Sequence, residues 1–272
     1  MKSSLSVLII TKNNEETIGG TLQSVMDFDE IVVVDSNSSD KTINIIQKSK
    51  VKSQKYNSKV KIYQKEFEDI GRQRAYGLKN VTEEWVLILD SDEIVSQKLK
   101  EEMLKRIHDD KNRFSAYEIP FQNYFLGRQL NYGGENYKMV RLFKKNAIEI
   151  KPSMVHNKMI VKSGKIGKLK SKIHHHSYRS IVQFYRKFTD YAIRTAQVKL
   201  EAGEKSSLKK IFLYPPHMFW ARFIKDQGYK DGMFRIPLDF GFAYMEFLTY
   251  FLLFIYNQLL TPEVVFRALK RR

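Results

Sequence analysis

The stretch Trp85-Val86-Leu87-Ile88-Leu89-Asp90-Ser91-Asp92-Glu93 constrains this chain more than any other, because an unbroken apolar run stops abruptly at three carboxylates. Residues 86–89 are too few and too uniformly apolar for a surface helix, and read as a strand buried on both faces. A bare carboxylate is costly to bury, so Asp90 and Asp92 are expected where the strand emerges from its sheet. Residues two apart on an extended chain point the same way, so both can face one cation, directly or through water. Hard divalent ions take oxygen ligands, and magnesium commonly binds one or two protein carboxylates together with substrate phosphates. Two readings stand: a metal site that holds a nucleotide diphosphate, and a solvated acidic turn after a strand.

The pattern of strand then carboxylate recurs upstream. Residues 5–10 form a β-rich run, followed by Thr11-Lys12-Asn13-Asn14-Glu15-Glu16. Asn13 or Asn14 can cap a helix whose first turn carries Glu15 and Glu16, where the positive helix end favours acids. Glu30-Ile31-Val32-Val33-Val34-Asp35 is a second strand ending in a carboxylate, and Asp40 suits the cap of a helix from about residue 41. Residues 60–63 read as a third strand and 71–78 as a helix bearing Arg72 and Arg74. Apolar strands alternating with helices predict an α/β domain with a mostly parallel sheet covered on both faces. Ligands bind such sheets at the carboxyl ends of the strands. Thr11, Asp35 and Asp90 all fall at such ends, which favours the ligand-site reading.

Further along, Leu99, Met103, Leu104 and Ile107 share one face of a helix over 98–108. Residues 114–125 are strand-like and aromatic, and the loop Tyr132-Gly133-Gly134-Glu135-Asn136 is expected to border a substrate. Arg141, in a short strand over 140–143, is either a diphosphate ligand or a surface arginine. Near Lys165 the character changes to a basic run, then His174-His175-His176, then helices over 181–200 and 208–224. Residues 240–260 are apolar and aromatic but interrupted by Glu246, and their uninterrupted core is about half of what spans a bilayer. This segment is expected either to lie in the headgroup region of an anionic leaflet or to pack as an ordinary hydrophobic helix. A net charge of +17 calls for an anionic partner: nucleic acid, an acidic membrane surface or a polyphosphate ligand. The absence of cysteine excludes disulfides, thiolate metal sites and a cysteine nucleophile. Met1-Lys2-Ser3-Ser4 leads into a strand with no cleavage site, so no secretory signal is expected.

In this order and spacing the motifs resemble those of family 2 inverting glycosyltransferases with the GT-A fold. The residues that carry the likeness are Ser6-Val7-Leu8-Ile9-Ile10-Thr11-Lys12-Asn13, Ile31-Val32-Val33-Val34-Asp35-Ser36, the segment from Gly71 to Arg74 and the acidic motif after Trp85. Arg141-Leu142-Phe143, Val155-His156, His175-His176-Ser177-Tyr178 with Lys187 and Tyr191, and Gly228-Tyr229-Lys230-Asp231-Gly232 complete it. The subgroup it looks like is the lipopolysaccharide core-type β-glucosyltransferases. The resemblance implies a GT-A domain over 1–165 and a helical, membrane-associating region over 166–272, peripheral on the cytoplasmic face of the inner membrane. It implies that Thr11 and Asp35 line the base and ribose pocket, and that Asp90, Asp92 and His175 hold Mg²⁺ or Mn²⁺ against the diphosphate of a UDP-sugar. His156 is the second choice for the histidine, and His174 and His176 are expected in a polar surface turn. Arg74 and Arg141 would neutralise phosphate charge, and the acceptor would be a lipid-anchored glycan.

The sequence departs from the family at one chemical point. Relatives usually carry Glu directly after the histidine of Val155-His156, whereas this chain has Asn157, and an amide accepts no proton at neutral pH. Either Glu135 or Glu93 serves as base, or the acceptor needs less base assistance, or donor binding survives without turnover. The alternatives to a transferase are a nucleic-acid- or membrane-binding protein of the same fold. No nucleic-acid-binding motif is present, and none is expected to be a partner.

Overall fold

In the computed structural model, which describes residues 4–53, 59–109, 111, 113–151 and 158–259, the apolar runs become adjacent strands. In chain order the elements begin β1 (Leu5–Thr11), α1 (Ile18–Val25), β2 (Glu30–Asp35), α2 (Thr42–Ser53), β3 (Lys59–Gln64), α3 (Ile70–Asn80) and β4 (Trp85–Asp90). These strands are parallel neighbours in the order β3-β2-β1-β4, the helices making the crossovers that parallel pairing demands. There follow β5 (Glu93–Val95), α4 (Gln97–Ile107), β6 (Phe114–Phe125), β7 (Arg128–Gln129), β8 (Lys138–Lys144), β9 (Ile148–Lys151), β10 (Lys158–Val161), β11 (Lys165–Lys168) and β12 (Ile173–Tyr178). The sheet continues past β4 through β8 and β6 to β12 and β5, and both β8 pairings and the β12–β5 pairing are antiparallel. The parallel sheet expected from the sequence is therefore its first half, and the full sheet is mixed.

Side chains of the central strands alternate between two clusters. Leu5, Val7, Ile9, Leu87 and Leu89 pack with Ile18, Leu22 and Val25 of α1 and Leu99 and Met103 of α4. Leu8, Val32, Val34, Val86 and Ile88 pack on the opposite face, toward Tyr76 and Leu78 of α3. Burial on both faces is why these strands read as continuous apolar runs. The carboxylate of Asp40 accepts from the Thr42 amide at 2.9 Å and caps α2, as expected. Glu15 and Glu16 do not enter the first turn of α1, which starts later, at Ile18. His174 and His176 lie on β12 and not in a surface turn, because the segment pairs with β5. Pro152 to Asn157, including His156 and Asn157, lie outside the described residues.

By contacts the chain forms two compact units, Met1–Asn123 with Tyr137–His176, and Tyr124–Asn136 with Ser177–Arg272. The sequence reading places its boundary at 165/166. The second unit is built on α5 (Ile181–Glu201), α6 (Leu208–Trp220) and α7 (Ile236–Leu259). Phe188 meets Phe242 edge-on at 4.8 Å, Tyr185 meets Tyr244 at 5.6 Å and Tyr214 meets Tyr250 at 4.9 Å, so α7 is flanked by α5 and α6. The segment Met233–Gln258, with mean hydropathy 1.5, is by length and composition sufficient to cross a membrane. Its apolar core looked too short in sequence because Glu246 interrupts it, yet the helix runs through Glu246 unbroken.

At the amino ends of the strands, Glu30 is buried and accepts from Thr82 N at 2.7 Å, Lys61 Nζ at 2.5 Å and the Ser6 hydroxyl. Burial works to raise its carboxyl, but Lys61, Ser6 and Thr82 together hold it below its ordinary 4.5. A lowered folded pKa stabilises above the unfolded value and is lost as pH falls through the folded one. We expect Glu30→Gln to cost about 1–3 kcal/mol at pH 7, a difference from wild type that shrinks below pH ~4, read by urea unfolding at both pH values. A Cβ on Gly77 of α3 would drive into Leu8 and Val34, whereas one on Gly20 of α1 meets only Ile94, at 3.7 Å. Gly77→Ala should lower stability by about 1–3 kcal/mol, while Gly20→Ala is neutral or stabilising by up to about 1 kcal/mol in the same assay.

Candidate active site

Strand register sets the site. Thr11 pairs with Asp35 and Ile10 with Asp90, so β1, β2 and β4 deliver Thr11, Asp35 and Asp90 to one edge of the sheet. Asp35 is fully buried and accepts from Ser38 N at 2.8 Å and Ser38 Oγ at 2.5 Å. The loops beyond these strands lock together: Asn13 N donates to Ser38 Oγ, and Asn13 Oδ1 accepts from Ser39 N, each at 2.8 Å. Asn13 and Asn37 both take left-handed backbone, at φ 52° and 56°, which asparagine tolerates better than most residues.

Asp90 is held between two arginines. Arg74 Nη2 of α3 donates to Oδ1 at 2.6 Å, and Arg141 Nη2 of β8 donates to Oδ2 at 3.1 Å. The same Arg141 nitrogen lies 2.7 Å from Glu93 Oε1, and Glu93 Oε2 accepts the Asp90 amide at 2.9 Å. Burial works to raise the Asp90 carboxyl, but Arg74 and Arg141 hold it well below the usual carboxylate range. Glu93 goes the other way: burial, with Asp90 and Asp92 beside it, pushes it up to about 7 against the pull of Arg141. Burial also opposes the charge on Arg141, but Glu93 and Asp90 raise its pKa above the ordinary value. Arg74 and Arg141 are thus neither surface arginines nor spent: Arg74 Nε, Arg141 Nε and Nη1, and Thr11 Oγ1 are buried without a partner among the described residues. Unsatisfied donors of this kind, clustered at a strand edge, call for an acceptor-rich ligand.

Asp92 stands beyond a turn whose Ser91 carbonyl accepts from Thr21 Oγ1 at 2.9 Å. Its Oδ1 lies 3.4 Å from His175 Nε2, and His176 N donates to the Asp92 carbonyl at 3.0 Å. Nδ1 of His175 faces Asn123 Oδ1 at 2.9 Å, with the Tyr137 hydroxyl at 3.5 Å. Burial acts to lower the His175 pKa, but Asp92, with Glu93 and Asp90 behind it, raises it. When Nδ1–H donates to the Asn123 amide oxygen, neutral His175 presents the Nε2 lone pair on the Asp92 side. Among the described residues no group of three or more His, Asp or Glu stands at metal-holding geometry. Asp90 has both oxygens on arginine, so the expected trio is not assembled; Asp92 and His175 Nε2 form an oxygen–nitrogen donor pair, and a hard cation there would have to draw its remaining ligands from phosphate or water. Asn123 and Tyr137 escaped the sequence reading: Asn123 lies on β6, the neighbour of β12, and Tyr137 immediately precedes β8.

The two carboxylates expected as base are both engaged by arginine. Glu93 is buried under the turn, behind Asp90. Glu135 belongs to the second unit, where Arg222 pairs with it closely and Arg235 Nη2 lies at 3.6 Å. Arg235 is fully buried and also binds Asp239 Oδ2 at 2.9 Å, Asp231 Oδ2 at 3.0 Å and the Gly133 carbonyl at 3.0 Å. This network was missed in sequence, although Asp231, Arg235 and Asp239 recur at intervals of four.

Comparison with known proteins bears on the family and the fold. The model of the glycosyl transferase family 2 domain matches residues 6–164. An uncharacterized glycosyltransferase of Rickettsia typhi is 30% identical over 216 residues, 75% of this chain and 70% of that protein. The lipopolysaccharide core biosynthesis glycosyltransferase LpsC of Rhizobium meliloti is 23% identical over 237 residues, 85% of each chain. Among solved structures, the mannosyltransferase PcManGT from Pyrobaculum calidifontis, in complex with GDP-Man and Mn²⁺, aligns with a TM-score of 0.50 at 12% identity, over 100% of this chain and 80% of that one, a likeness of fold.

Removing Asp90's charge takes the carboxylate from buried Arg74 and leaves Arg141 with Glu93 alone, so Asp90→Asn should cost on the order of 3 kcal/mol in urea unfolding. Asp92, whose carboxylate reaches solvent, should tolerate the same change within about 1 kcal/mol.

Proposed function

We propose a donor, an acceptor and residue roles for this chain, which belongs to glycosyl transferase family 2 and is a glycosyltransferase with a GT-A fold. It moves a hexose from a UDP-sugar to a lipid-linked glycan, in a core-type step of cell-surface polysaccharide synthesis, with inversion at the anomeric carbon. The observation that carries the reading is the convergence of Thr11, Asp35 and the doubly paired Asp90 on one strand edge, with unsatisfied arginine donors beside them. The likeness to LpsC supports a lipopolysaccharide-type acceptor.

Asp35 and Thr11 bind the uracil and ribose, and Asp35 is buried and preset by Ser38 to accept hydrogen bonds. Arg74 and Arg141 turn their remaining N–H groups to the diphosphate. Asp92 and His175, with Asp90 behind, would hold Mg²⁺ or Mn²⁺, which supplies positive charge to the departing diphosphate. The acceptor hydroxyl oxygen forms a bond to the anomeric carbon as the sugar–phosphate bond breaks, and the electron pair leaves with UDP. Glu93, with both oxygens engaged, is assigned to holding Arg141 and the Asp90 amide in place. The acceptor hydroxyl proton passes to a carboxylate base, for which Glu135 is the candidate left. In this reading residues 1–165 are the catalytic domain, and 166–272 associate with the cytoplasmic face of the inner membrane.

The first test is donor hydrolysis: purified protein, Mn²⁺ and a panel of UDP- and GDP-sugars, with released nucleoside diphosphate quantified. Metal-dependent release from one UDP-sugar is expected; release from GDP-sugars alone would overturn the donor. Asp92→Asn should cut turnover about a hundredfold or more while the protein stays folded. Glu135→Gln should lower turnover by about 10²–10⁴ with UDP affinity unchanged. If turnover and thermal stability instead fall together, Glu135 belongs to the arginine network and not to the chemistry.

A further inference from the structure

Helix α6 is built inside out for a helix in water. Its inward side carries Ile211, which is buried, and at its edge the partly exposed Tyr214 meets Tyr250 of α7. Its outward half carries Leu208, Phe212, Leu213, Pro216 and Trp220, and the turn that follows adds Ile224. Phe212 is 66% exposed and Leu213 54%, and at the end of the helix Phe219 packs against the exposed Phe240 of α7 at 4.7 Å. An ordinary surface helix places polar residues on that half, and contiguous apolar exposure of this kind marks an interaction surface.

The charges on the segment name the occupant. From Leu208 to Lys225 the chain holds no Asp or Glu, but Lys209, Lys210, Arg222 and Lys225. Arg222 is occupied with Glu135 and Asp239, and Lys210 with Glu204, which leaves Lys209 and Lys225 at the surface. Long cationic side chains on the flanks of an apolar, Trp-bearing helical face suit the boundary between anionic headgroups and acyl chains. Helix α7 passes the length test for a membrane span, but α5 and α6 already pack against it.

We propose that the outward half of α6, from Leu208 through Ile224, is the surface by which this protein lies in an anionic lipid leaflet, with α7 as its support and not as a membrane span. The proposal rests on the reading that the acceptor is lipid-linked.

The tryptophans make this testable without labels. Trp85 is buried in the first unit, at 1% exposure, and Trp220 is 49% exposed on the proposed face, so a spectral change on lipid binding reports Trp220. The full chain is mixed with phosphatidylcholine vesicles, with and without phosphatidylglycerol. Flotation with the anionic vesicles, a blue shift of Trp220 emission and its quenching by lipids brominated near the carbonyl end of the chains are expected. The double variant Phe212→Ser/Leu213→Ser should bind the anionic vesicles roughly tenfold more weakly or worse, with wild-type thermal melting and wild-type release of UDP in vesicle-free buffer. Flotation that the double variant leaves unchanged, or an unshifted Trp220, would place the lipid contact elsewhere and overturn the proposal. So would a stable dimer in sedimentation that the same substitutions dissociate, because a second copy then covers the face. Loss of nucleotide binding with vesicle binding intact would count against the donor reading and leave this surface standing.

Discussion

The carboxylate of Asp90, at the end of a buried strand, is held charged by two arginines brought to it, and this arrangement organises the edge of the first unit. Strand β4 cannot end at Asp90 unless α3 delivers Arg74 and the antiparallel β8 delivers Arg141. The mixed sheet meets that need. The parallel strands carry acceptors to one edge, and β8, running against β4, returns an arginine to the same place. Glu93 completes the arrangement from below, balancing Arg141 so that neither cation nor anion is left alone in a poorly solvated site. The result is a charged edge whose groups are already cross-linked by hydrogen bonds. In the proposed function such preorganised charge would stabilise the departing diphosphate, because no reorganisation is then required at the moment of bond breaking.

Much of this edge was readable from the chain itself. Continuous apolar runs ending in Asp35 and Asp90 announce doubly covered strands, and residues at their ends must converge. What escaped was everything that depends on non-local pairing. Arg141 reads equally well as a phosphate ligand or as a surface residue until β8 is known to lie beside β4. Glu93 looks like a free carboxylate next to Asp92, but the short β5 tucks it under the turn, where its oxygens are consumed. His174 and His176 read as a polar turn because nothing local shows that the segment pairs with β5; on the strand, side chains alternate, and His175 turns toward Asp92. Asn123 and Tyr137 carry no motif, and they matter only because β6 and β8 run beside one another.

The second unit meets the same problem of buried charge with a different purpose. Arg235 is wholly enclosed, and it binds two aspartates at its own i ± 4 positions and the backbone of Gly133. Buried charges of this sort are seldom tolerated unless paired, so an Asp–Arg–Asp spacing of four within an apolar segment is itself a signal of a polar core. Gly133 is required there, since a side chain at that position would occupy the space of the guanidinium. The loop of residues 131–136 is thereby fixed from both sides: Asp231 accepts the amides of Asn131 and Tyr132, and Arg222 grips Glu135.

This clamp bears on how the chain's basic excess should be understood. A net charge of +17 suggests a broad electrostatic attraction, but many of the cations are already spoken for. Arg74, Arg141, Arg222 and Arg235 are buried or nearly so and paired with carboxylates, so they add little to the field felt at a distance. The charge that a partner meets is mostly lysine, on long stems over aromatic and aliphatic surface. Lysine is a strongly hydrated point charge with no preferred geometry, suited to diffuse anionic surfaces and poorly suited to reading a base or a peptide, whereas arginine's planar fork matches carboxylate and phosphate. These four arginines grip carboxylates with direction, whereas the surface cations, lysines with arginines such as Arg72, Arg128 and Arg186 among them, offer attraction without direction.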